Sequence, residues 1–192
     1  MSKSADKILK TAEQLFNQQS FSGVGVDLIR DESGCSKTTL YTYYSNKHQL
    51  VQSVLQARDQ RFRKSLQAAV DGLQGVDALK KIYDWHIQWF QSDHFKGCLF
   101  VRAVGESSPD DHSIIAIAQQ HKQWVRSLIQ TQTLKLKRGQ AITQLMYLQL
   151  EGLINQFLVE GFQAQTAAMS RALIFDVIES FQTQTEDQNQ MP

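Results

Sequence analysis

Apolar residues recur along this chain at helical spacing. Over residues 4–18, Ile8, Leu9, Ala12, Leu15 and Phe16 share one face, because positions three and four apart lie on the same side of a helix. A glycine-containing bend at 21–25 leads to a short second helix begun by Val26 and Ile29 and ended at Gly34, since glycine takes the left-handed C-terminal position without a Cβ penalty. Ser36 then reads as the N-cap of a third helix over 37–44, its hydroxyl accepting from a free backbone amide. There Leu40 and Tyr44 point inward, and Lys37, Thr38, Thr39, Thr42 and Tyr43 outward. A long fourth helix runs from Lys47 to about residue 71, with Leu50, Val51, Val54 and Leu55 towards one end and Phe62, Leu66 and Val70 towards the other. Breaks at 72–75, 92–97 and 139 separate further helices expected over about 76–92, 98–106, 109–136, 140–161 and 165–181. Ser108 as cap, Pro109 at the first helical position and the acids after it predict the start of the seventh. Strand-type alternation is absent and there are only 2 prolines, so the class is all-α, with nine helices.

Two short helices joined across a tight turn make a helix-turn-helix, whose second helix fits the major groove of DNA. Lys47 opens the next helix, where a cation and free amides can meet a phosphate. The competing reading is a helical interaction or scaffold protein without DNA binding, because paired short helices also occur in proteins that bind nothing.

The 192 residues are 42% hydrophobic with a net charge of +1. Bulk charge therefore does not announce a nucleic-acid binder. In residues 1–50, the cations Lys3, Lys7, Lys10, Arg30, Lys37 and Lys47 face the acids Asp6, Glu13, Asp27, Asp31 and Glu32, so any electrostatic footprint is local. Cys35 and Cys98 form no disulfide framework, which suits a reducing cytoplasm. There is no signal-peptide core and no apolar run long enough to span a bilayer, and a cytoplasmic protein without membrane partners is expected. Residues 184–192 are polar and read as a disordered tail.

The stretch IRDESGCSKTTLYTYYSNKHQL resembles the signature of the TetR/AcrR family of bacterial repressors. Ile29, Gly34, Ser36, Lys37, Thr39, Leu40, Tyr41, Tyr43, Lys47 and Leu50 occupy matching positions, and the motif covers about the first quarter of the chain. The resemblance implies a DNA-binding domain over 1–48 and a ligand-binding and dimerisation domain over 49–183. It implies DNA contacts from Ser36, Lys37, Thr38, Thr39, Tyr41, Thr42, Tyr43 and Lys47. It further implies a homodimer joined through the last two helices, with Leu150, Phe157, Met169, Leu173 and Ile178 at the interface. Such a dimer suits a palindromic double-stranded operator with half-sites about 34 Å apart, released by a small-molecule effector. Four positions depart from the pattern: Arg30 replaces a small alanine, Cys35 a valine and Tyr44 a phenylalanine, and Gly25 stands where many members have a capping threonine.

The fifth helix is rich in rings. Trp85, His86 and Trp89, with Phe62, Phe100, His121, Trp124, Tyr147 and Glu151, are the candidate lining of an effector cavity, apolar with a few polar groups. Core packing is the alternative. Cys98 follows Gly97 at the start of the sixth helix with Lys96 nearby, a setting in which a thiol becomes reactive, and a redox- or electrophile-sensing repressor is the variant reading. His94 and Cys98 match no zinc-ligand spacing. No nucleophile motif surrounds Cys98, and no enzyme activity, metal or cofactor is expected. Arg58, Arg61, Arg63 and Lys64 read as a solvated face.

Overall fold

The computed structural model describes residues 2–183, among which the regular elements are nine α-helices. They are α1 (Lys3–Gln18), α2 (Val26–Ser33), α3 (Lys37–Tyr43), α4 (Lys47–Ala69), α5 (Gly75–Phe90), α6 (Leu99–Glu106), α7 (His112–Thr133), α8 (Gly139–Glu160) and α9 (Ala164–Thr183). The tail assigned to 184–192 lies outside the described residues. No helix among the described residues is long and apolar enough to cross a membrane.

The seventh helix starts later than its sequence signals suggest. Asp111 N–H donates to Ser108 O at 2.9 Å, closing residues 108–111 into a turn. The cap is then Asp111, whose Oδ1 accepts from Ile114 N–H at 3.2 Å. An ionised carboxylate on a free helical amide is the stronger cap. Gly139 is the first residue of α8 rather than a break. A Cβ there would come 2.2 Å from Thr133 O, so the close return of the chain after α7 admits no side chain.

The helices group into two compact units, one of residues 2–65 with 98–122 and one of 66–97 with 123–183. These units are defined by packing, and neither ends at residue 48. The first unit is built on one apolar cluster: Ile8, Ala12 and Phe16 of α1, Ile29 of α2, Leu40 of α3, Leu50, Val54 and Leu55 of α4, Leu99, Phe100 and Ala103 of α6, and Ile114 and Ala118 of α7. The second unit buries Leu79, Ile82 and Tyr83 of α5, Met146, Leu150 and Phe157 of α8, and Ile174 and Ile178 of α9. Tyr83 there donates to Ala167 O at 2.8 Å.

Candidate nucleic-acid interface and effector region

Local chemistry shapes the helix-turn-helix. Gly34 sits at φ 60°, ψ 24°, and its N–H reaches back to Arg30 O and Asp31 O. Side chains rarely adopt this left-handed conformation. Ser36 Oγ accepts from Thr39 N–H at 3.0 Å and lies 2.8 Å from Thr39 Oγ1. Both hydroxyls are therefore engaged in starting α3. Leu40 is buried and anchors α3 to the first unit's core. The Tyr44 hydroxyl, which burial demands be satisfied, donates to Ala5 O at 3.1 Å. Gly25 leaves α2 without a side-chain cap.

This anchoring turns Lys37, Thr38, Tyr41, Thr42 and Tyr43 to the surface. Tyr41 is 42% and Tyr43 40% exposed, unusual for large rings and available for contact. Thr42 Oγ1 donates to Thr38 O at 2.8 Å, leaving the Thr42 oxygen able to accept. The cations of this surface are held by acids: Arg30 by Asp27 and Asp31, and Lys37 by Asp27.

Lys47 opens α4 as expected, but its Nζ turns to Ser22 O at 3.5 Å. Burial lowers its pKa, with Glu106 opposing. It lines a cleft of about 380 Å³ together with Ser22, His48, Glu106 and Asp111.

Helix α6 grips α1 and the bend after it, which sequence spacing could not show. Arg102 donates to the backbone carbonyls of Phe16 and Asn17. It brings a cation to the C-terminal end of a helix whose last turn has none of its own. One turn on, Glu106 Oε2 accepts from Ser22 N–H at 2.8 Å and Ser22 Oγ at 2.9 Å. The cationic run on α4 is also more than a solvated face. Arg58 and Arg61 both pair with Glu13, and Arg63 pairs with Asp59 at 2.7 Å. The fold brings Glu13 from α1, and α4 itself supplies Asp59 one turn before Arg63.

Of the candidate effector residues, Phe62, Phe100 and His121 come together in the first unit. Phe100 stacks on the His121 ring with centroids 3.8 Å apart and planes at 11°, and Phe62 meets it edge-on at 4.9 Å. The His121 Nδ1–H donates to Asp59 Oδ1 at 2.8 Å. Burial pulls the imidazole down to about 4, against the pull of that carboxylate. Asp59 escaped the sequence reading because its neighbours are cations; its i+4 relation to Arg63 is the one available signal. In the second unit Trp85, His86 and Trp89 form a ring cluster with Phe90 and Phe95, with centroids 5.1–6.3 Å apart. His86 donates from Nδ1 to Ile82 O at 2.7 Å. Tyr147 lies under the Arg126 guanidinium at 4.4 Å. Trp124 and Glu151 are half-buried in the same unit.

The candidate interface residues divide. Leu150, Phe157 and Ile178 are buried within the protomer, whereas Met169 (65%) and Leu173 (64%) are exposed, as are Leu148 (56%) and Val159 (84%) on α8. Cys98 is half-buried at the N-cap of α6.

Residues 8–54 match the family profile described as bacterial regulatory proteins, tetR family. The uncharacterized HTH-type transcriptional regulator Rv1255c of Mycobacterium tuberculosis is 30% identical over 66 residues, 34% of this chain and 33% of that protein. The match thus spans about a third of the length of such curated relatives. Over nearly the whole chain the fold is similar to that of SCO4454, a TetR-family transcriptional regulator from Streptomyces coelicolor (TM-score 0.85, 21% identity, 93% of this chain and 96% of that one). It is also similar to the reduced form of NemR from E. coli (TM-score 0.77, 16% identity, 92% and 98%). At these identities the likeness is one of fold.

Proposed function

We propose that this chain, which belongs to the TetR family of bacterial regulatory proteins, is a homodimeric DNA-binding repressor released from its operator by a small apolar or aromatic effector. The carrying observation is the α2–α3 pair. A left-handed Gly34 turn and the Ser36 cap fix α3, and with Leu40 buried, Tyr41, Thr42 and Tyr43 remain exposed. A helix so anchored can enter the major groove, Thr38 and Thr42 meeting base edges while Lys37, Tyr41 and Tyr43 meet phosphates. Ser36 and Thr39 act by holding the start of α3. Lys47 reaches a phosphate after leaving the Ser22 carbonyl.

The exposed apolar residues of α8 and α9 support a dimer face. Met169 and Leu173 form its surface, while Leu150, Phe157 and Ile178 are buried within the protomer. The ring-rich groups around Trp85, His86 and Trp89 and around Phe62, Phe100 and His121, with Trp124, Tyr147 and Glu151, are the effector-binding candidates. An effector shifts the DNA-binding equilibrium only by its differential affinity for the two states. The α6 contacts to α1 and Ser22 offer a mechanical route to the helix-turn-helix. A regulator of this kind would act where its DNA lies, in the cytoplasm.

Gel shifts with the DNA upstream of the gene test the reading. A retarded complex abolished by Thr42→Ala with Tyr43→Ala supports it, and no retardation of any genomic fragment favours the scaffold reading. Cys98 at the α6 N-cap supports a second reading, release by thiol oxidation. In that case mild oxidant releases DNA from the wild type and not from Cys98→Ser.

A further inference from the structure

We propose that Asp27 is a built-in competitor for DNA phosphate: its carboxylate occupies the seat between Arg30 and Lys37 that a backbone phosphate would take, and so sets the sequence-independent affinity of the reading surface. The inference rests on the DNA-binding reading above.

Asp27 Oδ1 lies 2.9 Å from Arg30 Nη1 and 3.6 Å from Lys37 Nζ. One oxygen thus bridges a cation of α2 and a cation of α3. Asp31 holds the other edge of the guanidinium, at 2.8 Å from Nε and 2.9 Å from Nη2. Two separate carboxylates therefore engage Arg30, and the carboxylate beside Lys37 is that of Asp27.

These pairs do little for the fold. Asp27 and Lys37 side chains are 62% and 59% exposed, and ion pairs at such exposure contribute little to stability. Their effect is on the local field. Sequence-independent binding to duplex DNA grows with the number of phosphates neutralised, through counterion release. A phosphate approaching Lys37 meets an anion already seated there and must displace it. Arg30 and Lys37 are two of the six cations in residues 1–50, so withholding them removes much of the charge available to any duplex. Base contacts from α3 then carry a larger share of binding.

The test is fluorescence anisotropy with a random-sequence 30-bp duplex and the full-length protein, between about 50 and 200 mM KCl, the range over which phosphate contacts dominate the salt dependence. Asp27→Asn should bind this duplex about three- to tenfold more tightly than wild type at 100 mM, and the slope of log affinity against log salt should steepen by about one unit per phosphate gained. Asp27→Glu, which keeps the charge, should retain the wild-type slope. Asp27→Asn with Lys37→Ala should lose most of the gain, which identifies Lys37 as the released cation. Melting curves confirm folding; Asp27→Ser, which can still serve the first turn of α2, replaces Asn if that variant is unfolded. If wild type binds the duplex and the neutral variant matches it in affinity or in slope, the proposal is overturned while the DNA-binding reading survives. If neither protein binds the duplex or genomic fragments at 20 mM salt, the DNA-binding reading fails and takes the proposal with it.

Discussion

At the scale of single residues, His121 shows how a side chain chosen for its chemistry in the sequence gains its behaviour from neighbours. Buried against Phe100 and tied to Asp59, it has its pKa lowered to about 4. In the unfolded chain the ordinary value is about 6.5. Between those values the unfolded state binds the extra proton, so stability is fully present above pH 6.5 and falls as pH drops towards 4. The difference amounts to about 3 kcal/mol. Urea unfolding at pH 7, 5.5 and 4.5 should show this loss in the wild type, with the part due to His121 missing from His121→Phe. Equal pH slopes in the two proteins would contradict the assignment. The same dependence on neighbours governs Lys47. Its placement at the start of α4 was legible, but its turn to Ser22 beside Glu106 depends on residues about 25 positions before and 60 after it.

At the scale of elements, periodicity and capping accounted for most helices because those signals are local. Ser36, Gly34 and the apolar spacing of α1 act within a few residues of themselves. The α6 grip on α1 is not local. Arg102 reaches Phe16 and Asn17 across more than eighty positions, and nothing in the sequence LFVRAVGE announces it. Replacing Arg102 with Met keeps much of the stem and removes the charged donors from two carbonyls. The expected loss is about 1–3 kcal/mol, or roughly 2–4 °C in Tm for each kcal/mol in a chain of this size. Differential scanning calorimetry would read it, and an unchanged Tm would show that water replaces the guanidinium without cost.

At the scale of the whole molecule, the exposed apolar residues bear on assembly. Leu148 and Val159 on α8 and Met169 and Leu173 on α9 are large apolar side chains that a lone protomer keeps in water. Light scattering at micromolar concentration should give about twice the chain's 21.9 kDa. Met169→Glu with Leu173→Glu should shift the mass towards the single chain without unfolding it, since both side chains are exposed in the protomer and the new charges meet an apolar partner only in the dimer. A wild-type mass near that of one chain would remove the dimer from the proposed function.

The sequence by itself determined the helical class, the position of the helix-turn-helix and the residues that start and stop its helices, because apolar spacing, glycine conformation and hydroxyl caps act over a few bonds. It also singled out the ring-rich α5 and the exposed hydroxyls of α3. Only the tertiary structure decided which carboxylate each cation meets across helices: Asp27 with Lys37, Glu13 with Arg58 and Arg61, Asp59 with His121. It likewise buried Leu150, Phe157 and Ile178 in the protomer while leaving Met169 and Leu173 outside. Apolar character alone does not say which of several apolar neighbours a side chain will face. That choice belongs to packing between helices far apart in sequence, where the identity of the partner, not the spacing of the pattern, sets burial, charge and reach.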